Sequence, residues 1–312
     1  MSKPRIAIAT GDPAGIGPEI ALKAVADPAV TACCDPVIVG DRDVLGAYAD
    51  RLGLTVPEAV IDVGAMDVDA LSPGKSDAAC GRAILEYARR AIGMAKDGEA
   101  DAVVACPQTQ SSIKAAGIAF DGYPGFVAGE TGTDPDDVFM MLASDRLRIA
   151  HVTLHLGIRD ALDLIDKPRI VRTLKATDAA LKRLGIETPH IAVSGVNPHA
   201  GEGGLFGREE IVTVGPAIAE ACDLGLHAHG PFGADTMYLD DRYDAYVVMY
   251  HDQGHIPAKL IGFTGTAAFT IGTPVLFSSV AHGSALDIAG EGRADPGALV
   301  WTLSQIAGAS GA

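Results

Sequence analysis

Residues 5–19 read RIAIATGDPAGIGPE, an apolar run followed by a glycine-rich turn. The run Arg5–Ala9 is typical of a strand that is covered on both faces. Pro18 near a first helical position and Glu19 in a first turn predict that a helix starts after the glycines. A phosphate-binding loop is the alternative, but the glycines lack GxGxxG spacing and no Lys-Ser or Lys-Thr pair follows them. The stretch therefore predicts a strand, a turn and a helix in succession.

The same alternation continues along the chain. Further short apolar runs lie between longer helical patterns, at residues 36–39, 102–105, 148–154, 190–196 and 245–250. Residues 80–97 and 170–184 carry apolar side chains three and four positions apart, as amphipathic helices do. Strands that alternate with helices predict an α/β fold with mostly parallel sheets and crossover helices. Because no repeat or linker interrupts the pattern, two lobes that share strands are favoured over two separate domains.

Composition excludes several classes of protein. The 312 residues are 48% hydrophobic and include 37 glycines, which suits an enzyme scaffold with a large core rather than a fibre. Since 24 Lys and Arg face 40 Asp and Glu, the net charge is −16, and neither nucleic acid nor a membrane is an expected partner. No apolar run has membrane-span length and no secretory segment opens the chain, which predicts a cytoplasmic protein. The five scattered cysteines lack CxxC spacing and are expected to be reduced.

Three histidines lie at or beyond the ends of predicted strands: His155 in HVTLHLGIRDA, His199 in SGVNPHAGEGG and His251 in VVMYHDQGH. Ligands bind at the carboxyl edge of parallel sheets, so three imidazoles could reach one crevice. Asp235 and Asp252 could bind a divalent cation or orient an imidazole. Structural histidines are the alternative, because no local signature such as HExxH is present. The other histidines are expected in core, surface or supporting positions: His151, His190, His227, His229 and His255.

A second cluster is HGSALDIAGEGRADP at residues 282–296. Its glycines allow the backbone to approach a ligand closely, and Asp287 could accept hydrogen bonds from ribose hydroxyls. The alternative is a plain loop that precedes a helix. The pattern alone leaves both interpretations open.

Together these blocks resemble the 4-hydroxythreonine-4-phosphate dehydrogenase family. GDPAGIGPEI, NPHAGEGG, GADT, MYHDQG and HGSALDIAG occur in the family's order along nearly the whole chain. The resemblance implies a two-lobed fold related to isocitrate and isopropylmalate dehydrogenases, NAD or NADP as cofactor, and a homodimer that shares its active site. It also implies a cofactor-binding lobe at about 1–135 plus 260–312, and a metal-binding and dimerisation lobe at about 136–259.

The resemblance assigns roles to individual residues. It implies that His155, His199 and His251 bind one divalent ion (Zn²⁺, Co²⁺, Mn²⁺ or Mg²⁺), with one of them supplied across the dimer interface. It places Asp235 and Asp252 around that site and Lys259 against the substrate, so that these three are the candidate catalytic residues. The likeness of HGSALDIAG to isopropylmalate dehydrogenases implies that the adenosine half of NAD is lined by His282, Gly283, Ala285, Asp287 and Asp295.

Departures from the family pattern concern the substrate. Tyr123 and Pro124 occupy the places of a His and a Thr, and Phe277 occupies that of an arginine. The loss of an arginine removes the fork that best binds a phosphate dianion. These departures, with GIAFDGYP, HVTLH, LFG and HDQGHIPAKL, resemble the terephthalate dihydrodiol dehydrogenase branch. Its substrate is a cyclic cis-diol dicarboxylate, a flat ring that suits Tyr123 and Phe277.

The predicted function is therefore NAD(P)-dependent oxidation of a small β-hydroxy carboxylic acid with decarboxylation. The favoured substrate is a cyclic cis-dihydrodiol dicarboxylate, which would give a catechol acid. The substrate would contact Tyr123, Pro124, Lys259 and Phe277. One alternative is 4-hydroxythreonine-4-phosphate dehydrogenase of pyridoxal phosphate synthesis, or a related sugar-acid phosphate dehydrogenase. Another is a non-catalytic metal-binding or ligand-binding protein, which would bind a cation without affinity for NAD(P).

Overall fold

The structure, a computed structural model, describes residues 3–262 and 266–310. The strands are β1 (Arg5–Ala9), β2 (Asp35–Gly40), β3 (Val60–Asp62), β4 (Ala102–Ala105), β5 (Phe139–Ala143), β6 (Arg148–His151), β7 (His190–Ser194), β8 (His227–Phe232), β9 (Ala245–Val248), β10 (Ala267–Ile271) and β11 (Phe277–Val280). The helices are α1 (Gly17–Val25), α2 (Pro28–Cys33), α3 (Arg42–Leu52), α4 (Ala78–Lys96), α5 (Gln110–Ala115), α6 (Tyr123–Thr131), α7 (Ile158–Leu164), α8 (Lys167–Arg183), α9 (Gly215–Asp223), α10 (His251–Gly262) and α11 (Gly297–Ser310). None of the helices in these ranges is long and apolar enough to span a membrane.

The chain divides into two compact units. Unit 1 comprises Met1–Gly132 and Pro274–Ala312, and unit 2 comprises Thr133–Thr273. The sequence-based boundary at residue 259 falls inside unit 2, because β10 pairs with β5 and so keeps the following segment there. The division of roles between a cofactor lobe and a metal lobe remains a prediction.

Unit 1 contains a parallel sheet in the order β3-β2-β1-β4-β11. Strand β1 lies between β2 and β4, which explains why Ile6–Ala9 is buried on both faces. After β1 the chain turns and enters α1 at Gly17, with Pro18 and Glu19 in the first turn. A side chain at position 17 would overlap the carbonyl of Thr10, so the turn needs a glycine there. The predicted strand, turn and helix are confirmed.

Unit 2 contains a mixed sheet in the order β10-β5-β6-β9-β7-β8. The pairs β6/β9, β9/β7 and β7/β8 are parallel, whereas β10/β5 and β5/β6 are antiparallel. The turn of residues 144–147 is too short for a crossover helix, so β5 and β6 must run in opposite directions. The α/β fold with mostly parallel sheets is confirmed, and the antiparallel strands are an addition that the sequence patterns did not predict.

Parallel pairing in unit 2 sets the position of the candidate site. Strands β6, β9 and β7 are neighbours that point the same way, so the segments that follow them leave the sheet at one edge. All three strands end earlier than the apolar runs suggested, at His151, Val248 and Ser194. The residues after them are therefore loop or helix starts, where side chains can face a ligand.

Candidate active site

A pocket of about 600 Å³ lies beyond the ends of β6 and β9. It is lined by Leu154, His155, Leu156, Ile158, Ala161, Tyr250, His251 and Asp252. The ring centroids of His155 and His251 are 5.7 Å apart. Two of the three candidate metal ligands are thus brought together, because each follows one of two adjacent parallel strands.

Asp252 orients the imidazole of His251. The His251 Nδ1 atom lies 2.7 Å from Asp252 Oδ1. An ionised carboxylate only accepts hydrogen bonds, so Nδ1 must carry a hydrogen and donate the hydrogen bond. The lone pair of a neutral His251 then resides on Nε2, the tautomer that binds a cation through Nε2.

His199 lies elsewhere in unit 2, in the segment Pro198–Gly204 that follows β7. Its Nδ1 atom is 3.4 Å from Asp235 Oδ2, and both side chains are exposed. Among the described residues, no three or more His, Cys, Asp or Glu side chains are arranged to hold a metal ion. Two imidazoles, which are suitable donors for a divalent cation, therefore line the pocket, but the described residues of one chain do not bring a third donor to them.

Glu210 holds the segment that carries His199. Its Oε1 atom accepts hydrogen bonds from the backbone of Val196 (2.7 Å) and Asn197 (2.8 Å), and its Oε2 accepts one from the Asn197 side chain (3.0 Å). Burial raises the pKa of Glu210, but these hydrogen bonds outweigh it and the pKa is lowered. His199 itself has a φ of +52°, a conformation that non-glycine residues rarely adopt. Sequence patterns did not identify Glu210, because it acts from outside the motif.

Two further histidines lie behind the pocket. The ring of His255 is stacked on that of His251, with centroids 3.7 Å apart and planes 8° apart, and the ring centroid of His151 is 4.8 Å from that of His255. Burial, together with the neighbouring imidazoles, lowers the pKa of His151 to about 3 and that of His255 to about 4. Both rings are therefore neutral at pH 7.

The stability of the protein should depend on pH through His151. Its pKa falls from 6.5 to about 3 on folding, so between these values the unfolded chain binds more protons and the free energy of unfolding rises with pH. In His151→Leu, the difference in unfolding free energy between pH 7 and pH 5 should shrink by about 2 kcal/mol. Urea unfolding at both pH values measures this. Ile149→Val is the control, because it changes the core but removes no titrating group, and it should keep the wild-type difference in unfolding free energy between the two pH values. If His151→Leu also keeps that difference, the prediction is wrong.

Gly254 is required by the packing of His151. A Cβ at position 254 would overlap Nε2 of His151 and lie 2.8 Å from Cγ2 of Ile149. Gly254→Ala should therefore destabilise the protein by about 1–3 kcal/mol, measured by urea unfolding. Gly93→Ala in α4 is the matched control, because an added Cβ there meets nothing within 4 Å, and it should be neutral or stabilising. In a His151→Ala background, Gly254→Ala should cost less unfolding free energy than it does in the wild type, because the ring that the new Cβ overlaps is gone. An equal cost in both backgrounds would show that the overlap with His151 is not the cause.

Lys259 is an exposed residue of α10. It follows His251 and His255 at four-residue intervals, so the three side chains share one face of the helix. The helix face that carries His251 at the pocket therefore also carries the Lys259 ammonium group, two turns further along. Contact of Lys259 with a substrate stays a prediction.

In unit 1, the loop at residues 281–296 packs against the glycine-rich turn. The backbone N–H of Ile16 donates to the carbonyl of Ser284 (2.9 Å), and the hydroxyls of Ser284 and Thr109 are 2.8 Å apart. A Cβ at Gly15 would lie 2.8 Å from Ser284, so the close approach needs glycine there. The structure thus brings together two motifs that are far apart in the sequence.

The predicted cofactor residues lie along this loop. His282, Gly283, Asp287 and Asp295 are exposed, and Ala285 has a φ of +41°. His282 Nδ1 lies 3.1 Å from the carbonyl of Gly283, and a role of His282 and Asp287 in cofactor binding stays a prediction. Asp295 also has a structural explanation, since its carboxylate accepts a hydrogen bond from Gly297 N (2.8 Å) where α11 begins.

Glu19 and Lys23 anchor the far end of the same loop. The Glu19 side chain is fully buried, and its Oε1 accepts hydrogen bonds from Lys23 Nζ (2.7 Å) and Ala294 N (2.9 Å). Lys23 Nζ also donates to the carbonyls of Gly292 (2.9 Å) and Ala294 (2.8 Å). The sequence placed Glu19 in a first helical turn, but a sequence pattern does not reveal that it is buried and paired.

The predicted substrate residues of unit 1 form an aromatic cluster. The rings of Tyr123 and Phe277 have centroids 4.9 Å apart, and Phe120 packs edge-on to Tyr123 at 5.7 Å. The Tyr123 hydroxyl is buried and makes no hydrogen bond within the described residues. Phe277 is 0% exposed and packs against Tyr123, and its contact with a substrate stays a prediction. Pro124 is the second residue of α6 and directs the chain into that helix.

The chain matches one protein family over most of its length, and the similar proteins within that family have different substrates. The family described as "Pyridoxal phosphate biosynthetic protein PdxA" matches residues 32–306. A 1,2-dihydroxy-3,5-cyclohexadiene-1,4-dicarboxylate dehydrogenase of Comamonas sp is 39% identical over 96% of each chain. The crystal structure of a terephthalate 1,2-cis-dihydrodiol dehydrogenase from Burkholderia xenovorans LB400 is 44% identical over 98% of each chain, with a TM-score of 0.77. That of 4-hydroxythreonine-4-phosphate dehydrogenase from Klebsiella pneumoniae is 37% identical, covers 97% of this chain and 99% of its own, and has a TM-score of 0.87.

These similarities extend over almost the full length of the chain and include the segments that carry His155, His251 and the loop at residues 281–296. The family implies NAD(P), a divalent metal and a small acid substrate. With a family match over most of its length and relatives well above 30% identity, the chain belongs to the PdxA family of dehydrogenases.

Proposed function

We propose that this PdxA-family dehydrogenase oxidises a cyclic cis-dihydrodiol dicarboxylate with NAD or NADP, and that the product loses carbon dioxide to give a catechol acid. The observation that carries this proposal is the buried, unpartnered hydroxyl of Tyr123 within an aromatic cluster. An unpartnered buried hydroxyl costs about 1–3 kcal/mol, so a ligand or water is expected to bind it. Two of the similar proteins named above are dehydrogenases of such ring diols.

Individual side chains have separate tasks in this proposal. His155 and His251 hold a divalent cation, and Asp252 keeps His251 in the binding tautomer. When bound, the cation makes a substrate hydroxyl more acidic and stabilises negative charge that develops on oxygen. Lys259 pairs with a substrate carboxylate, while Tyr123 contacts the ring. His282 and Asp287 bind the adenosine half of the cofactor.

A second copy of the chain supplies His199 in this proposal. The segment that carries His199 is followed by exposed apolar side chains at Leu205, Phe206 and Val212. Contiguous exposed apolar surface is typical of a protein interface. A homodimer would cover this surface and complete the set of three histidines that one chain lacks.

Subunit mixing tests the shared site. His199→Ala and His251→Ala are each expected to be inactive as homodimers. After the two variants exchange subunits, activity should return to about a quarter of the wild-type value, because half of the dimers are mixed and each of those has one intact site. Size-exclusion chromatography measures the oligomeric state. If mixing restores no activity although exchange is demonstrated with tagged subunits, His199 does not act across the interface.

The substrate class is tested with purified protein and a panel of acids. A cis-dihydrodiol dicarboxylate should yield NADH or NADPH and a catechol acid, and a chelator should remove the activity. 4-Phosphohydroxythreonine is the alternative substrate, favoured by the higher TM-score to the Klebsiella enzyme. Turnover of the phosphate with persistent inactivity toward the diol would reverse the assignment. Fluorescence titration with NAD and NADP separates both from a non-catalytic binding protein, which would bind neither.

A further inference from the structure

Three histidines form a continuous row in unit 2, from the interior of the sheet to the pocket. We call His151, His255 and His251 the histidine row. His251 and His255 are one turn apart on α10, and their planes are nearly parallel at 3.7 Å. His255 is held to the same turn, since its Nδ1 is 3.3 Å from the carbonyl of His251. The innermost ring, His151, is 4.8 Å from His255.

His151 is firmly held at the inner end of the row. It is 2% exposed, and its Nδ1 is 3.3 Å from the carbonyl of Met140 on the neighbouring strand. The absence of a side chain at Gly254 provides the space that its ring occupies. Its Nε2 is buried without a hydrogen-bond partner in the described residues, at a cost of about 1–3 kcal/mol.

The middle ring constrains His251. Asp252 fixes which nitrogen of His251 carries the proton, but one hydrogen bond leaves the imidazole free to rock about its axis. A parallel ring at van der Waals distance prevents that motion, because any tilt of His251 meets the face of His255. His151 also packs against His255, with ring centroids 4.8 Å apart and planes 52° apart, and so limits the movement of the middle ring. The ring plane and the protonated nitrogen of His251 are thus set by different neighbours.

We propose that His255 is a positioning residue that holds the imidazole plane of His251 for cation binding. The proposal rests on the proposed function, because it assigns His251 as a metal ligand. It concerns no contact of His255 with substrate. A flat side chain at position 255 is what the site requires, and a branched aliphatic side chain of similar volume does not supply it.

Cobalt binding tests this with a readout that does not depend on turnover. Co²⁺ is titrated into metal-free wild type, His255→Phe and His255→Leu, and the visible absorption of the bound ion is recorded with the Kd. We expect His255→Phe to keep a wild-type spectrum and a Kd close to that of wild type. His255→Leu should bind Co²⁺ about 10- to 100-fold more weakly, with an altered spectrum, as loss of an orienting neighbour does.

Controls separate the possible failures. Ile256→Ala, an exposed position on the same helix, should leave cobalt binding unchanged, and circular dichroism establishes that each variant is folded. If His255→Phe does not fold, His255→Gln replaces it and should bind as weakly as the leucine variant. Equal Kd values and spectra for wild type and His255→Leu would overturn the positioning role. A wild-type protein that binds no Co²⁺ would instead overturn the proposed metal site.

Discussion

Replacing His251 by alanine is expected to lower kcat/KM for the ring diol by about 10³-fold or more. A divalent cation contributes several kcal/mol of charge stabilisation, and each 1.36 kcal/mol corresponds to about a factor of ten in rate. His251 is the imidazole with the best-defined tautomer in the pocket, since Asp252 accepts the hydrogen bond from its Nδ1. Steady-state kinetics with metal-saturated protein measures the loss, and His155→Ala should behave alike because its ring shares the pocket.

The matched control is His227→Ala. His227 is an exposed histidine of β8 that stacks on His190 and does not line the pocket. It should keep full activity and full metal content, measured by atomic absorption after dialysis. If His251→Ala retains both metal and turnover, the pocket is not the metal site, and the proposed chemistry has no support from this arrangement of histidines.

Sequence patterns correctly predicted the elements of the fold that depend on neighbouring residues in the chain. The strand at Arg5–Ala9 and the helix start at Gly17 follow from an apolar run and from Pro18 and Glu19. Strands β5 and β10 were not predicted, because their place in the sheet depends on antiparallel partners rather than on a crossover helix. The expected lobe boundary at residue 259 differs from the observed one for the same reason, because β10 pairs with β5. Both features depend on pairing between segments that are far apart in the sequence, and a local sequence pattern does not show such pairing.

The candidate site shows the same division. Strand ends predicted that His155 and His251 meet, since adjacent parallel strands release them at one edge. The position of His199 depends on Glu210, whose hydrogen bonds to Val196 and Asn197 fold the preceding turn. For Phe277 the resemblance identified an unusual residue, but residue identity does not reveal burial. Side-chain type was therefore predictable, and exposure and partners were not.

The second large effect is expected at Glu19, a carboxylate buried in unit 1. Glu19→Ala should lower the free energy of unfolding by about 2–4 kcal/mol, because it removes the fully buried partner of Lys23, whose side chain is 23% exposed. It also leaves the N–H of Ala294 without its acceptor. Urea unfolding at pH 7 measures the change. Glu86→Ala in α4 is the matched control: it breaks an exposed pair with Arg89 and should cost less than about 1 kcal/mol.

Comparison of Glu19→Ala with Glu19→Gln identifies what the carboxylate contributes. Glutamine still accepts the hydrogen bond from Ala294 N but does not neutralise Lys23, which remains partly exposed and can be hydrated. If anchoring of the loop dominates, Glu19→Gln should retain most of the stability and bind NAD(P) like wild type, whereas Glu19→Ala should bind it more weakly in a fluorescence titration. If the ion pair dominates, both variants should lose similar stability. If Glu19→Ala lowers the free energy of unfolding no more than Glu86→Ala does, the burial of Glu19 adds nothing to the stability of its pair with Lys23, and the prediction is wrong.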